Sequence, residues 1–388
     1  MKQIYIDISR PLARLYNGLM PTGIDRVALA YIHEYFSDAL AVISYRGTQI
    51  ILSEISSKSV FELLSHFSSK KTALRHILIR ACINHFFKRS HAPGFLLHLN
   101  HGGMEFPGYY ARLQRHGIKP VFMVHDLIPL THAEYTRPGV DVTHRRRIHT
   151  CLAHAAGIIV NSQATAASLR AEAHAAQLAL PPCTVAHLAS GIAPLPLPEQ
   201  AQPRPLAAPY FVMLGTIEAR KNHLLILNVW RSLVEQLGAA APRLVIIGRR
   251  GWECENVIDM LERCTSLHGV VIEEAHCPDN RLQAWLEHAQ ALLFPSFAEG
   301  YGMPLVEALA LRVPVLASDL PVFHEIAGDI PEYLDPLDGP GWRARIQAYA
   351  RADSPERAAQ LTRIEAFQAP TWAAHFTRVN RFLDDLST

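Results

Sequence analysis

Two glutamates, Glu299 and Glu307, bracket the sequence GYGMPLV, and the residues around them suit one kind of chemistry. Ala291–Phe294 is apolar at every position and stops at Pro295, the pattern of a strand buried on both faces. A polar, glycine-bearing loop, Ser296–Gly302, follows it. Pro304 then stands where the first turn of a helix accepts it, with Leu305, Val306, Ala308, Leu309 and Leu311 as the apolar positions of a short packed helix, before a second strand at Val313–Ala317. The spacing of the two glutamates is a little over two helical turns, so a helix starting near Met303 sets both carboxylates along one wall of a cleft. Amides at Gly300, Tyr301, Gly302 and Met303 would point at whatever lies between them, and a helix N-terminus favours an anion there. A carboxylate at each end of an anion site suits a ligand with hydroxyls flanking phosphates, which describes a sugar nucleotide. Taken singly, each glutamate also fits a solvated loop or helix charge.

Other strand ends carry further candidates. Tyr210–Leu214 leads into Gly215-Thr-Ile-Glu-Ala-Arg-Lys-Asn222, where a tight glycine turn precedes two adjacent cations. Arg220 as a planar fork and Lys221 as a mobile point charge can neutralise a diphosphate; simple solvation is the alternative. Val121–Val124 ends in His125-Asp126, and ligands of doubly wound sheets sit beyond the carboxyl ends of strands, although a histidine there is also a common packed residue. Gly157–Val160 runs to Asn161-Ser162, and Arg243–Ile247 to Gly248-Arg-Arg-Gly-Trp252, a loop placed to hold ribose or base. No GxGxxG fingerprint occurs, which counts against a nicotinamide enzyme.

The run Glu299-Gly-Tyr-Gly-Met-Pro-Leu-Val-Glu307, followed by PVLAS, resembles the E-x7-E signature of the retaining glycosyltransferases of family 4. GTIEARKN is similar to that family's GT-x-E-x-RKN, VHDLIP to its H-D/E-L position, and HEIAG to its PE-x-x-G segment. Pro21-Thr-Gly-Ile-Asp-Arg-Val27 is similar to the GG-x-x-R-V loop that closes on donor diphosphate or positions acceptor, with Thr22 replacing one glycine before Gly23; an ordinary strand-to-helix turn fits as well.

The resemblance implies an α/β chain of GT-B fold, two Rossmann-like doubly wound domains facing a central cleft. It implies transfer of a hexosyl group, with retention, from a nucleotide-sugar to a hydroxyl of a lipid-linked or polysaccharide acceptor. Arg220, Lys221 and the amides at Gly302–Met303 would then stabilise the leaving diphosphate beside Gly215, Glu299 would hold sugar hydroxyls, and Glu307 the ribose diol. His125 would orient the sugar from the other domain, while Thr22, Gly23, Asp126 and Ser162 would serve acceptor or phosphate. No Asp-x-Asp cluster stands near the anion site, so no metal or other cofactor is expected. The forms GTIEARKN and VHDLIP look more like bacterial mannosyl-, rhamnosyl- and fucosyltransferases of surface polysaccharides, which makes GDP-mannose the first expected donor. A nucleotide-sugar epimerase of GT-B fold and a non-catalytic nucleotide-sugar-binding protein are the rival readings.

The rest of the chain must position these groups. At 388 residues it fits two domains, and its net charge of +2 does not suggest a nucleic-acid partner. Residues 1–200 hold 20 Lys and Arg against 12 Asp and Glu, whereas 201–388 hold 17 against 23. Pro194–Pro209, with six prolines, reads as a stiff linker between a domain at 1–193 and one at 210–373, with a last helix at about 374–388 crossing back onto the first. Leu12–Gly23 reads as a loop, Ile24 onward as a helix, and Thr143–Ala155 as a helix whose Arg145–Arg147 serves acceptor phosphate or solvation. Lys70–Arg89 reads as a basic amphipathic helix, either lying in an anionic membrane interface or packed with its basic face solvated. Six cysteines without CxxC spacing, an N-terminus interrupted by Asp7 and Arg10, and no apolar run long enough to span a bilayer lead to an expected cytoplasmic protein, with any contact to the inner membrane face peripheral.

Overall fold

The computed structural model describes residues 2–66, 76, 91–191 and 203–388. Residues 194–202 of the expected linker, and all of the basic stretch Lys70–Arg89 except His76, lie outside the described residues. The chain divides into two units: Met1–Leu130, Gly139–Leu188 and Thr371–Thr388 form one, and Thr131–Pro138 with Ala189–Pro370 the other. Among the described residues no helix is long and apolar enough to cross a membrane.

The first unit is built on β1 (Gln3–Asp7), β2 (Ala39–Tyr45), β3 (Thr48–Ile51), β4 (Gly94–His98), β5 (Ile118–Val124), β6 (Gly157–Val160) and β7 (Cys183–Val185), in the order β3-β2-β1-β4-β5-β6-β7. All neighbours are parallel except β2 and β3, a hairpin that the sequence reading left unassigned and that turns at Arg46 and Gly47, both with positive φ. Phe95–Leu97 and Val121–Val124 are almost wholly inaccessible, as runs without polar alternation require.

The loop expected over Leu12–Gly23 is shorter than that, because Ser9–Tyr16 is helical. Pro11 falls in its first turn, where an amide would have no partner within the helix, and Pro11, Leu12 and Leu15 bury one face. The turn residues that suggested a loop begin only at Asn17, the helix C-cap.

The last helix, Trp372–Asp385, belongs to this first unit. Thr371 caps it through Oγ1, which accepts from the Ala374 amide. Tyr31 OH lies 2.9 Å from His375 Nε2, and Tyr35 OH donates to Asn380 Oδ1 at 2.6 Å. At Gly157 a Cβ would stand 2.5 Å from Leu386 Cδ1 and 2.7 Å from Phe382 Cζ, so the start of β6 and the helix touch at a spot with no space for a side chain.

The second unit carries β8 (Tyr210–Leu214), β9 (Arg243–Ile247), β10 (Val271–Glu274), β11 (Leu292–Phe294), β12 (Val315–Ser318) and β13 (Glu332–Leu334), all parallel, in the order β10-β9-β8-β11-β12-β13. Its core holds Phe211, Trp230, Leu244, Ile246, Trp342 and Tyr349. The large rings keep their polar atoms paired: Trp230 Nε1 donates to Pro242 O, Trp342 Nε1 to Asp335 O, and Tyr349 OH to Gln360 Oε1. In this sheet the chain runs outward one way from β8 and then the other way from β11. The crevice at the carboxyl ends of such a pair is where open α/β sheets bind ligands.

Candidate functional site

β8 and β11 are neighbours, with Val212 opposite Leu292, so the loops that leave them meet. The first loop holds Gly215–Asn222 and the second Ser296–Gly302. Lys221 Nζ lies 2.6 Å from Glu299 Oε1, and Arg220 Nη1 lies 2.8 Å from Glu299 Oε2, so each carboxylate oxygen takes one cation. Ser296 Oγ donates to the same Oε1 at 2.8 Å. Arg220 turns its Nε to Glu218 at 2.7 Å, and its Nη1 also donates to Ala298 O at 2.9 Å. The backbone ties the loops as well, since Phe297 N donates to Arg220 O.

This cluster is almost dry. The side chains of Lys221 and Glu299 are 10% and 8% exposed. Burial alone would raise the Glu299 carboxyl, but Arg220 and Lys221 overcome it and hold it at about 2. Burial lowers the Lys221 ammonium below the usual lysine range, an effect that Glu299 opposes. Lys221 Nζ also stands 4.8 Å from the centre of the Phe294 ring. Gly215 has φ +135°, and a Cβ there would come within 3.6 Å of Lys221 Nζ. That distance is ordinary contact, so it is the positive φ and not crowding by Lys221 that favours glycine at this turn.

The helix after the second loop is Met303–Ala310, as its Pro304 and apolar spacing require. Gly302, its N-cap, has φ +107°, and a Cβ there would press within 2.8 Å of the Phe323 ring. Leu305 and Val306 donate to the Gly302 carbonyl. The Gly302 and Met303 amides precede that ladder, and Pro304 has no amide. Gly300 and Tyr301 lie in the loop, with Tyr301 buried, and Glu307 is buried on the helix at 6% exposure. Phe297 stacks on Tyr135 with ring centres 5.3 Å apart and planes 8° from parallel, and Trp252 Nε1 donates to Tyr135 O. The Gly248–Trp252 loop is laced to the cation loop by Ile217 N to Arg249 O and Gly251 N to Ile217 O.

In the first unit His125 follows β5 and is 5% exposed. Its Nε2 lies 2.8 Å from Leu99 O, and a carbonyl only accepts, so Nε2 carries the proton and Nδ1 is left as an acceptor. The His125 amide donates to His101 Nε2, and its carbonyl accepts from Asn161 Nδ2 and Thr165 Oγ1. The His101 ring meets the His125 and His144 rings edge-on, with centres 5.6 and 4.7 Å away. Burial lowers all three imidazoles, His101 furthest, so the cluster is neutral.

The four remaining candidates are local structure. Ser162 is fully buried and caps the helix Gln163–Ala175, accepting from Thr165 N, so its hydroxyl is not presented to a cleft. Asp126 Oδ1 accepts from Ile128 N. Thr22 directs both its amide and its hydroxyl to Asp25 Oδ2, and Gly23 is the first residue of the helix Gly23–Glu34. Asp25, with Arg10 and Arg14 each at 2.8 Å, puts the chain's own carboxylate at this helix start, the arrangement of a capped turn. Arg145 pairs with Glu172 and Arg147 with Glu105, while Arg146 is exposed.

Three contributors escaped the sequence reading: Glu218, Ser296 and His101. Glu218 stands within the GTIEARKN string, Ser296 opens the loop Ser296–Gly302 and His101 follows β4, yet no spacing shows which cation, carboxylate or amide each one meets.

The family model described as Glycosyl transferases group 1 matches residues 199–330. The serotype-specific mannosyltransferase WbdA of Escherichia coli is 31% identical over 219 residues, 53% of this chain and 26% of that protein. The O-antigen chain mannosyltransferase B of Escherichia coli is 32% identical over 145 residues, 37% of this chain and 38% of that one. The chain thus spans well under half the length of these curated relatives. Among solved structures, Anabaena HepE in complex with UDP superposes with a TM-score of 0.67 at 13% identity, covering 99% of this chain and 100% of that one. The sucrose-phosphate synthase of Thermosynechococcus elongatus gives 0.66 at 15% identity, covering 100% and 99%.

Proposed function

We propose, from the match of residues 199–330 to the glycosyl transferases group 1 model and from the GT-B fold, that this chain transfers a hexosyl group from a nucleotide-sugar to a hydroxyl of a lipid-linked or polysaccharide acceptor. The gathering of Arg220, Lys221 and Glu299 at the reversal of strand order supports this reading most directly. As the bond from the sugar's anomeric carbon to the diphosphate breaks, negative charge grows on the leaving oxygens. Fixed cations stabilise it without having to reorganise during the step. Arg220, Lys221 and the Gly302 and Met303 amides take that role, which requires no metal. Glu299 accepts hydrogen bonds from the sugar hydroxyls and Glu307 binds the ribose diol.

The mannosyltransferase names of the 28–32% identical relatives favour a mannosyl group, and with it GDP-mannose as donor. The resemblance of the Glu299–Glu307 run to the E-x7-E signature favours transfer with retention. The test is incubation of the protein with GDP-mannose, UDP-sugars and dTDP-sugars, alone and with oligosaccharide or lipid-linked acceptors. Nucleotide release with an α-mannosyl product, read by NMR, is the expected result. Isomerised donor without acceptor would mark an epimerase, and binding without turnover a sugar-nucleotide-binding protein.

A further inference from the structure

We propose that Glu299 is the free site's own counter-anion, displaced from Lys221 and Arg220 by the diphosphate of the donor, and that Ser296 is the positioning residue that receives it. This inference rests on the donor-site reading above. The atoms a diphosphate needs, Lys221 Nζ and Arg220 Nη1, are the atoms that Glu299 holds at 2.6 and 2.8 Å. Glu218 answers only one of these two adjacent, poorly exposed cations, and a second counter-charge, the carboxylate of Glu299 from the neighbouring loop, lowers the cost of burying the pair.

The surroundings suit exchange rather than permanent pairing. Arg220 keeps Glu218 on Nε and Ala298 O on Nη1, so its guanidinium stays aimed when Glu299 departs. Ser296 Oγ already donates to Glu299 Oε1 at 2.8 Å and offers the displaced carboxylate a neutral partner. A diphosphate brings more negative charge than one carboxylate and so wins the cations, while the released Glu299 becomes free to accept sugar hydroxyls. A monophosphate has less charge to offer and competes poorly, which gives the site a preference for diphosphates before any contact with the base.

Calorimetric titration of the full chain with GDP, UDP and GMP at pH 7 tests this. Glu299→Gln is expected to bind GDP or UDP about tenfold more tightly than wild type while turnover falls. Glu299→Asp, which keeps the charge but shortens its reach, shifts the same way and covers a Gln variant that fails to fold. Ser296→Ala is expected to bind several-fold more weakly with unchanged thermal unfolding, a sign opposite to Glu299→Gln that a merely structural role would not produce. Wild-type binding with no gain in either Glu299 variant, or a gain in Ser296→Ala, overturns the exchange and leaves the donor-site reading standing. No binding of any nucleoside diphosphate by wild type or variants overturns both.

Discussion

Lys221 Nζ and Glu299 Oε1 are 2.6 Å apart across 78 residues of sequence. Neither residue's own element brings them together. Their strands, β8 and β11, lie side by side where the order of the sheet reverses, and the two carboxyl-end loops face each other. The ion pair is thus a product of topology, and its consequences are open to measurement.

Lys221→Ala is expected to lower turnover about a hundredfold or more, the scale for removing one preorganised donor. Folding should survive, because Arg220 still faces Glu299. Turnover near wild type in a folded Lys221→Ala protein would take Lys221 out of the mechanism.

Acid should weaken the fold in two overlapping windows. Burial lowers His223 to about 3 and His375 to about 4, so the unfolded chain takes up protons near 6.5 that the folded chain refuses, and stability falls as pH drops below 6.5. Glu299, held at about 2 against an ordinary 4.5, adds stability that is complete above 4.5 and is lost as pH falls toward 2. Urea unfolding at pH 7, 5 and 3 measures this decline. Equal stability at all three would contradict it.

Gly302→Ala is expected to cost about 1–3 kcal/mol and to impair turnover, since it combines a left-handed residue with a Cβ 2.8 Å from the Phe323 ring. Gly108→Ala is the control, as a Cβ there meets nothing within 4 Å. Thermal unfolding of the two variants should separate them clearly.

Tyr31→Phe removes the donor that His375 Nε2 accepts from, the imidazole being fixed by Nδ1 donating to His187 O. Leaving that buried nitrogen unpaired should cost about 1–3 kcal/mol. Hydrogen exchange should locate the loss in Trp372–Asp385; protection unchanged there would show that this hydrogen bond does not anchor the helix.

If Arg220 and Lys221 carry the proposed role of stabilising the leaving diphosphate, turnover should be insensitive to chelation. The measurement is the rate with and without excess EDTA. A loss restored by magnesium or manganese would refute the arrangement.

The sequence was sufficient where the signal is local. Apolar runs, in β9 preceded by Arg243, placed β6, β8 and β9 to the residue, and Pro304 with its apolar spacing placed the helix that carries Glu307. It was insufficient at Ser9–Tyr16, where turn residues beyond the helix masked its eight positions, and at the β2–β3 hairpin, whose tight turn is Arg-Gly rather than a familiar pair. The chemistry divides in the same way. Residue types and strand ends decided which side chains could handle a diphosphate. The tertiary structure alone decided that Glu299 would neutralise the cations, that Ser296 and Glu218 would support them, and that Ser162 would cap a helix. Pairing of distant strands sets those partnerships, and no spacing along one segment encodes which distant loop will lie beside it.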